Sequence, residues 1–309
     1  MASRWRTVWA TGESDDLIVR LGMAGPGVVV SADHGGALEA RRADDGSLVA
    51  PPTYTGISGI RGIVALAAWR DGPIVRAATG AGSGWASYRW LQRWDLDARK
   101  EIPPAIDMNV AQVKHVDPAV VRGEQVLVVI NRGTLEIRRT TDGAVIDKVV
   151  KHRETSRVVI GSFGREPIAI TTSPSAHPEL FRLEDLAAPE PLPGLAGGFV
   201  AAMDGDRLVC GSYAEPWNAW RTAWARDLTG QRLGPDVTGE VITSVAVADW
   251  PAVYMARADG TVSLVDLESG DELCPALRLP TKAASLAVAP GGDLIVGYGP
   301  HVARFRPPR

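Results

Sequence analysis

Histidine is the side chain best suited to move protons or ligate a transition metal near neutral pH, and this chain carries five, at 34, 115, 152, 177 and 301. None forms an HxH or HExxH pattern, so no two are held at ligand spacing by local geometry. The standard catalytic templates are missing as well: the sequence has no GxSxG, no GxxxxGK[ST] and no CxxC. Gly80–Gly84 is glycine-rich, but no lysine or helical pattern follows it, and it reads as a flexible loop base. The carboxylates of Asp15-Asp16, Asp44-Asp45, Asp204 and Asp206 fall in tight turns, where Asp binds neighbouring backbone N–H groups. No metal and no cofactor are expected.

Two stretches instead concentrate aromatic side chains. Ala81–Tyr88 (AGSGWASY) carries Trp85 and Tyr88, and Tyr213–Trp220 (YAEPWNAW) carries Tyr213, Trp217 and Trp220. Tyr and Trp offer large contact area with few rotors to freeze, which suits a binding surface; folding over the local edge as a mini-core is the competing use. Trp90, Trp94 and Trp224 lie within alternating apolar runs and are expected to pack in the core.

The elements that must position these groups repeat. Equivalent phrases can be anchored at Arg42, Asp95, Arg139, Asp185, Asp227, Asp266 and Arg306, which lie 53, 44, 46, 42, 39 and 40 residues apart. The clearest copy is Ala256–Leu273 (ARADGTVSLVDLESGDEL), where Asp259-Gly260 turns into the alternating run Thr261–Leu267. Its whole unit reads as four strands: Ile242–Ala248, Val253–Ala256, Val262–Leu267 and Glu272–Leu277. Four short strands every 40–45 residues are the pattern of a β-propeller, whose blades stack apolar faces around a central channel. The last unit stops one strand short after His301–Pro307, while Trp5–Ala10 is left over ahead of the first inner strand, Leu17–Leu21. The expected fold is all-β: one seven-bladed propeller over residues 1–309, four antiparallel strands per blade, the last blade closed by the N-terminal strand.

DGTVSLVDLESG and RWDLDARKEI resemble the WD-repeat family. The second keeps the family's dipeptide as Trp94-Asp95, and Asp259-Gly260-Thr261 matches its usual turn. Elsewhere the Trp position holds Arg41, Arg138, Glu184, Arg226, Val265 or Phe305, and the Gly-His pair that opens a repeat is missing, so the family's buried Asp-His-Ser-Trp network is incomplete. The resemblance implies an interaction surface on the face carrying both the strand-two-to-three loops and the inter-blade connections. Both aromatic stretches and His34, His152, His177 and His301 fall on that face, whereas His115 falls in an inner strand.

Bulk properties narrow the partner. A net charge of −3 and a pI near 6.0 give no general attraction to nucleic acid or anionic membrane. No run approaches the ~20 apolar residues of a membrane helix. Cys210 and Cys274 read as two buried free thiols in strands. Arg outnumbers Lys 28 to 5, a hint of a high-GC bacterial genome. These features lead to the expectation of a cytoplasmic, monomeric, non-catalytic scaffold that takes a protein or peptide on Trp85, Tyr88, Tyr213, Trp217 and Trp220, with His34, His152, His177 and His301 as polar contacts. The alternative is an enzyme or small-molecule binder with its site at the mouth of the central channel.

Overall fold

The computed structural model describes residues 4–12, 14, 16–57, 63–81, 90–108, 113–131, 133–150, 157–173, 176–192, 194–195, 198–214 and 219–308. These residues form antiparallel strands in six sheets, five of four strands and one of seven. The first sheet holds β2 (Ile18–Met23), β3 (Val28–Asp33), β4 (Ala37–Arg42) and β5 (Thr53–Tyr54) in chain order. The same meander recurs in β6 (Ile63–Asp71), β7 (Ile74–Ala81), β8 (Trp90–Asp95) and β9 (Lys100–Asp107). It recurs again in β10 (Val113–Val121), β11 (Glu124–Asn131), β12 (Thr134–Arg139) and β13 (Val145–Val150), then in β14 (Arg157–Phe163), β15 (Glu166–Ser173), β16 (Ala176–Arg182) and β17 (Asp185–Pro191).

The seven-stranded sheet runs β18 (Gly198–Asp204), β19 (Arg207–Ala214), β20 (Ala219–Asp227), β21 (Val237–Asp249), β22 (Ala252–Arg257), β23 (Thr261–Asp266) and β24 (Leu277–Arg278). Its long β21 serves two neighbours: Val237 and Thr238 pair with β20, and Ser244 to Asp249 pair with β22. The last sheet is β25 (Ala283–Val288), β26 (Leu294–Tyr298) and β27 (His301–Arg306), completed by the N-terminal β1 (Arg6–Ala10), which pairs with β27. The leftover N-terminal strand expected from the sequence is therefore spent on the last sheet. The first strands face an axis, with β2, β6, β10, β14, β18, β21 and β25 touching in that cyclic order and β25 returning to β2.

Strand β11 shows why the sheets stack. Successive side chains point to opposite faces, and here both faces are covered. Val126, Val128 and Ile130 join Val158, Ala169 and Phe181 of the following sheet, while Leu127 and Val129 join Ala65, Ala67 and Trp69 of the preceding one. A strand buried on both sides reads as a continuous apolar run, and each fully buried Val or Leu contributes roughly 1.5–3 kcal/mol.

The turns are set by local chemistry. The Asp45 carboxylate accepts the Ser47 N–H at 2.8 Å, and the Ser47 hydrogen bonds hold its carboxyl below the ordinary value. Gly46 follows at φ 73°, and a Cβ there would sit 2.6 Å from the Trp9 ring, so both backbone conformation and packing require glycine. Arginine recurs at one position of the third strand: Arg41 and Arg138 donate to the carbonyls of Gly46 and Gly143 in the following turns and pair with Glu39 and Glu136 two residues earlier. Trp94 retains a bond from its indole N–H to Thr79 Oγ1 at 3.1 Å.

Three expectations need correction. The outer strand of the sixth repeat is shorter than Glu272–Leu277: Glu272 forms an isolated bridge with Val265 and pairing resumes only at Leu277, with Pro275, which has no N–H to donate, between them. Cys274 consequently lies outside any strand and is only partly buried, while Cys210 is buried in β19. Trp90 opens β8 with 37% exposure, because its alternation places it on the outer side of the strand start.

Candidate functional site

Two regions merit comparison: the loop-bearing end of the sheets and the channel between the first strands. Trp85, Tyr88, His152 and Trp217 lie outside the described residues. Tyr213 lies in β19, opposite Trp220 in the ladder to β20. Trp220 itself is 6% exposed, its ring 4.8 Å from that of Phe199. It was expected as an exposed anchor; ladder pairing draws it into the sheet, so it is a wall residue.

The described histidines at this end stay apart. His34 follows β3, its Nδ1 3.8 Å from Asp16 Oδ2, with both side chains roughly half exposed. An exposed pair at that distance contributes little. His177 and His301 lie within the first two residues of β16 and β27, at the starts of third strands and not in loops, and His301 stacks 5.4 Å from Tyr298. Among the described residues no group of three His, Cys, Asp or Glu side chains could hold a metal ion.

The same end does carry exposed apolar side chains. Leu17 precedes β2, Tyr54 ends β5, Trp90 opens β8 and Val150 ends β13, and their exposures run from 37% to 79%. By strand direction all four sit where first and third strands begin and fourth strands end.

The channel holds a different arrangement. A cavity of about 340 Å³ opens between the first strands, lined by His115 and Asp117 of β10, Val159 of β14, Met203 of β18, Trp220 of β20 and Ser244 of β21. His115 and Asp117 are two apart on one strand, which puts both side chains on the same side. Their Nε2 and Oδ2 atoms are 2.7 Å apart, and the side chains remain 28% and 34% exposed, toward the cavity. The Trp220 side chain also lines this cavity, while its indole nitrogen is buried out of reach of solvent and has no hydrogen-bond partner. His115 was expected in an inner strand, apart from the histidines of the loop-bearing face; its signal in the sequence is the His115-Val116-Asp117 spacing on a strand of period two.

The thiols offer no reactive centre. Burial pushes Cys210 up to about 12 and raises Cys274 as well, which keeps both protonated at neutral pH. No helix among the described residues is long and apolar enough to cross a membrane.

No protein-family model matches the sequence, and no curated protein matches it either. Solved structures do. The WD40 β-propeller domain of Doa1 superposes with a TM-score of 0.68, covering 98% of this chain and 97% of that one at 15% identity. A likeness at that identity carries the fold alone: an all-β, WD40-like propeller built of repeated four-strand antiparallel sheets.

Proposed function

We propose that this WD40-like propeller is seven-bladed and acts as a non-catalytic interaction module, presenting the loop-bearing end of its sheets to a protein or peptide. Seven anchored repeats and the double pairing of β21, which divides the seven-stranded sheet into two units, support the blade number. The observation offered for the binding reading is that Leu17, Tyr54, Trp90 and Val150 are left exposed at that end, next to both aromatic stretches of the sequence; Val120, Val145, Ile146 and Phe163 are exposed at the opposite end, so the aromatic stretches and not exposure alone choose the face. Large apolar side chains exposed together favour protein contact over a solvated face. Trp85, Tyr88, Tyr213 and Trp217 extend the same surface in this proposal, with His34, His152, His177 and His301 as polar contacts.

The experiment is partner capture with the full chain. A protein recovered reproducibly and identified by mass spectrometry should be lost when Trp85 and Trp217 are both replaced by Ala, with circular dichroism unchanged. Trp90→Ala should weaken the same capture. Retention of the partner by both variants would remove this face from consideration.

A further inference from the structure

We propose that the cleft between the third and fourth sheets, at the end of the molecule opposite the loop-bearing one, takes a long basic side chain, arginine or lysine, from a protein partner. The cleft lies where β10 turns into β11 and where β13 runs beside the turn joining β16 to β17, and it holds a cavity of about 300 Å³. Val121, Val126, Ile137 and Leu183 form its floor, each 8% exposed or less, and Ile146 of β13 stands beside them at 45%. The site uses no residue of the loop-bearing face, so failure of one reading leaves the other intact.

The side chains around the mouth set the partner's charge. Glu124, Asp147 and Glu184 line the cavity and are exposed, and none of them pairs with a cation among the described residues. Asp147 Oδ1 accepts the N–H of Lys148 at 2.7 Å, a bond to its own backbone neighbour that leaves the charge unbalanced. Other carboxylates of these two sheets are matched: Asp142 pairs with Arg139, and Glu166 and Glu190 pair with Arg182. Arg122 is the one cation of the lining, and its Nη2 donates to the Glu184 carbonyl at 2.7 Å instead of to a carboxylate. Three carboxylates against one guanidinium leave an acidic rim around an apolar floor.

A long basic side chain answers both features. Its methylene stem covers Val, Ile and Leu while its charged head stays at the wet rim, the way lysine and arginine lie on mixed surfaces. A purely apolar side chain would fill the floor but draw the carboxylates out of water without a partner. An acidic side chain, a nucleic-acid phosphate or an anionic lipid meets the same three like charges. Val120 and Val145, each adjacent in the chain to a lining residue, are 56% and 43% exposed and extend the contact to the partner's flanking residues.

Three peptides that differ only at the central residue separate charge from shape: acetyl-Val-Arg-Val-amide and its citrulline and glutamate counterparts, citrulline being the neutral isostere of arginine. Each is titrated into the full chain carrying labelled Ile, Leu and Val methyl groups, and NMR follows the Ile146 methyls, assigned by their loss in Ile146→Val. The arginine peptide should shift them saturably, the citrulline peptide should bind about fivefold more weakly, and the glutamate peptide more weakly still. Replacing the rim together, Glu124→Gln, Asp147→Asn and Glu184→Gln, should bring the arginine peptide down to the citrulline level. Raising the salt from about 0.05 to about 0.5 M should shrink the same difference, because these charges face solvent. Should the triple variant fail to fold, the ranking of the three peptides and its salt dependence in the wild-type chain decide alone. No saturable Ile146 shift with the arginine peptide, or equal binding of the arginine and citrulline peptides, overturns the assignment.

Discussion

The seam where the last sheet meets the first and the channel wall between β10 and β21 both withdraw polar side chains from water, but they treat them differently. At the seam, Asp293 receives Arg304 at 2.7 Å and Arg306 at 2.9 Å, with Asp293 and Arg304 only 5% and 10% exposed. Arg304 also donates to the Ala43 carbonyl at 2.7 Å, and the Trp9 indole donates to that same oxygen at 3.0 Å. Strand β1 and the first sheet are thereby tied to β27 by interlocking bonds. In the channel, His115 and Asp117 satisfy each other only in part, and Trp220 has no partner at all. A saturated polar cluster holds architecture together, whereas the half-exposed His115–Asp117 pair leaves polar atoms facing the cavity.

The largest expected effect lies at the seam. Asp293→Ala leaves two arginines without their carboxylate and should lower the unfolding free energy in urea by about 3–5 kcal/mol, whereas Asp117→Ala, at a more open site, should cost under about 1 kcal/mol. A loss from Asp117→Ala as large as that from Asp293→Ala would erase the distinction between the two regions.

Acid titration sharpens the same contrast. Burial opposes ionisation of Asp293, but hydrogen bonds from Arg306 and Arg304 overcome it and hold its carboxyl below the ordinary value. The unfolded carboxyl, near 3.9, binds protons first as pH falls, so this contribution is complete above about pH 5 and is lost as pH drops through the lower folded value. The stability gap between wild type and Asp293→Ala should therefore be constant from neutral pH to about pH 5 and close in stronger acid.

Two tryptophan substitutions test satisfaction directly. Trp9→Phe removes a made hydrogen bond and should cost about 1 kcal/mol beyond any packing loss, while Trp220→Phe removes an unmade one and should be neutral to slightly stabilising. Thermal unfolding of the pair checks the order. The smallest effect concerns Cys210, whose thiol is pushed up to about 12 by burial: in native buffer it should react with a thiol reagent only at the rate of unfolding, after the more open Cys274.

Much of this was legible in the chain itself because it depends on neighbours within a few residues. The Asp-Gly turns at Asp45-Gly46 and Asp259-Gly260 follow from side-chain capping and positive φ, and the alternation in β11 and β23 follows from the two-residue period of a strand. The spare N-terminal strand was legible too, from an unpaired copy at each end. Even the His115–Asp117 pair is a local fact, since a strand places i and i+2 on one side.

What only the tertiary structure decided is what those side chains meet. The Tyr213–Trp220 stretch reads as an aromatic loop, yet ladder register sets Trp220 opposite Tyr213 and against Phe199, a position no neighbouring residue encodes. His115, Val159, Met203 and Ser244 come from four strands separated along the chain and meet only because the sheets circle an axis. Sequence by itself determined the repeated unit and its turns, which are short-range backbone and solvation effects. The cavity, and the burial of Trp220 beside it, arose from long-range packing in which each repeat's departures from the pattern come to face one another.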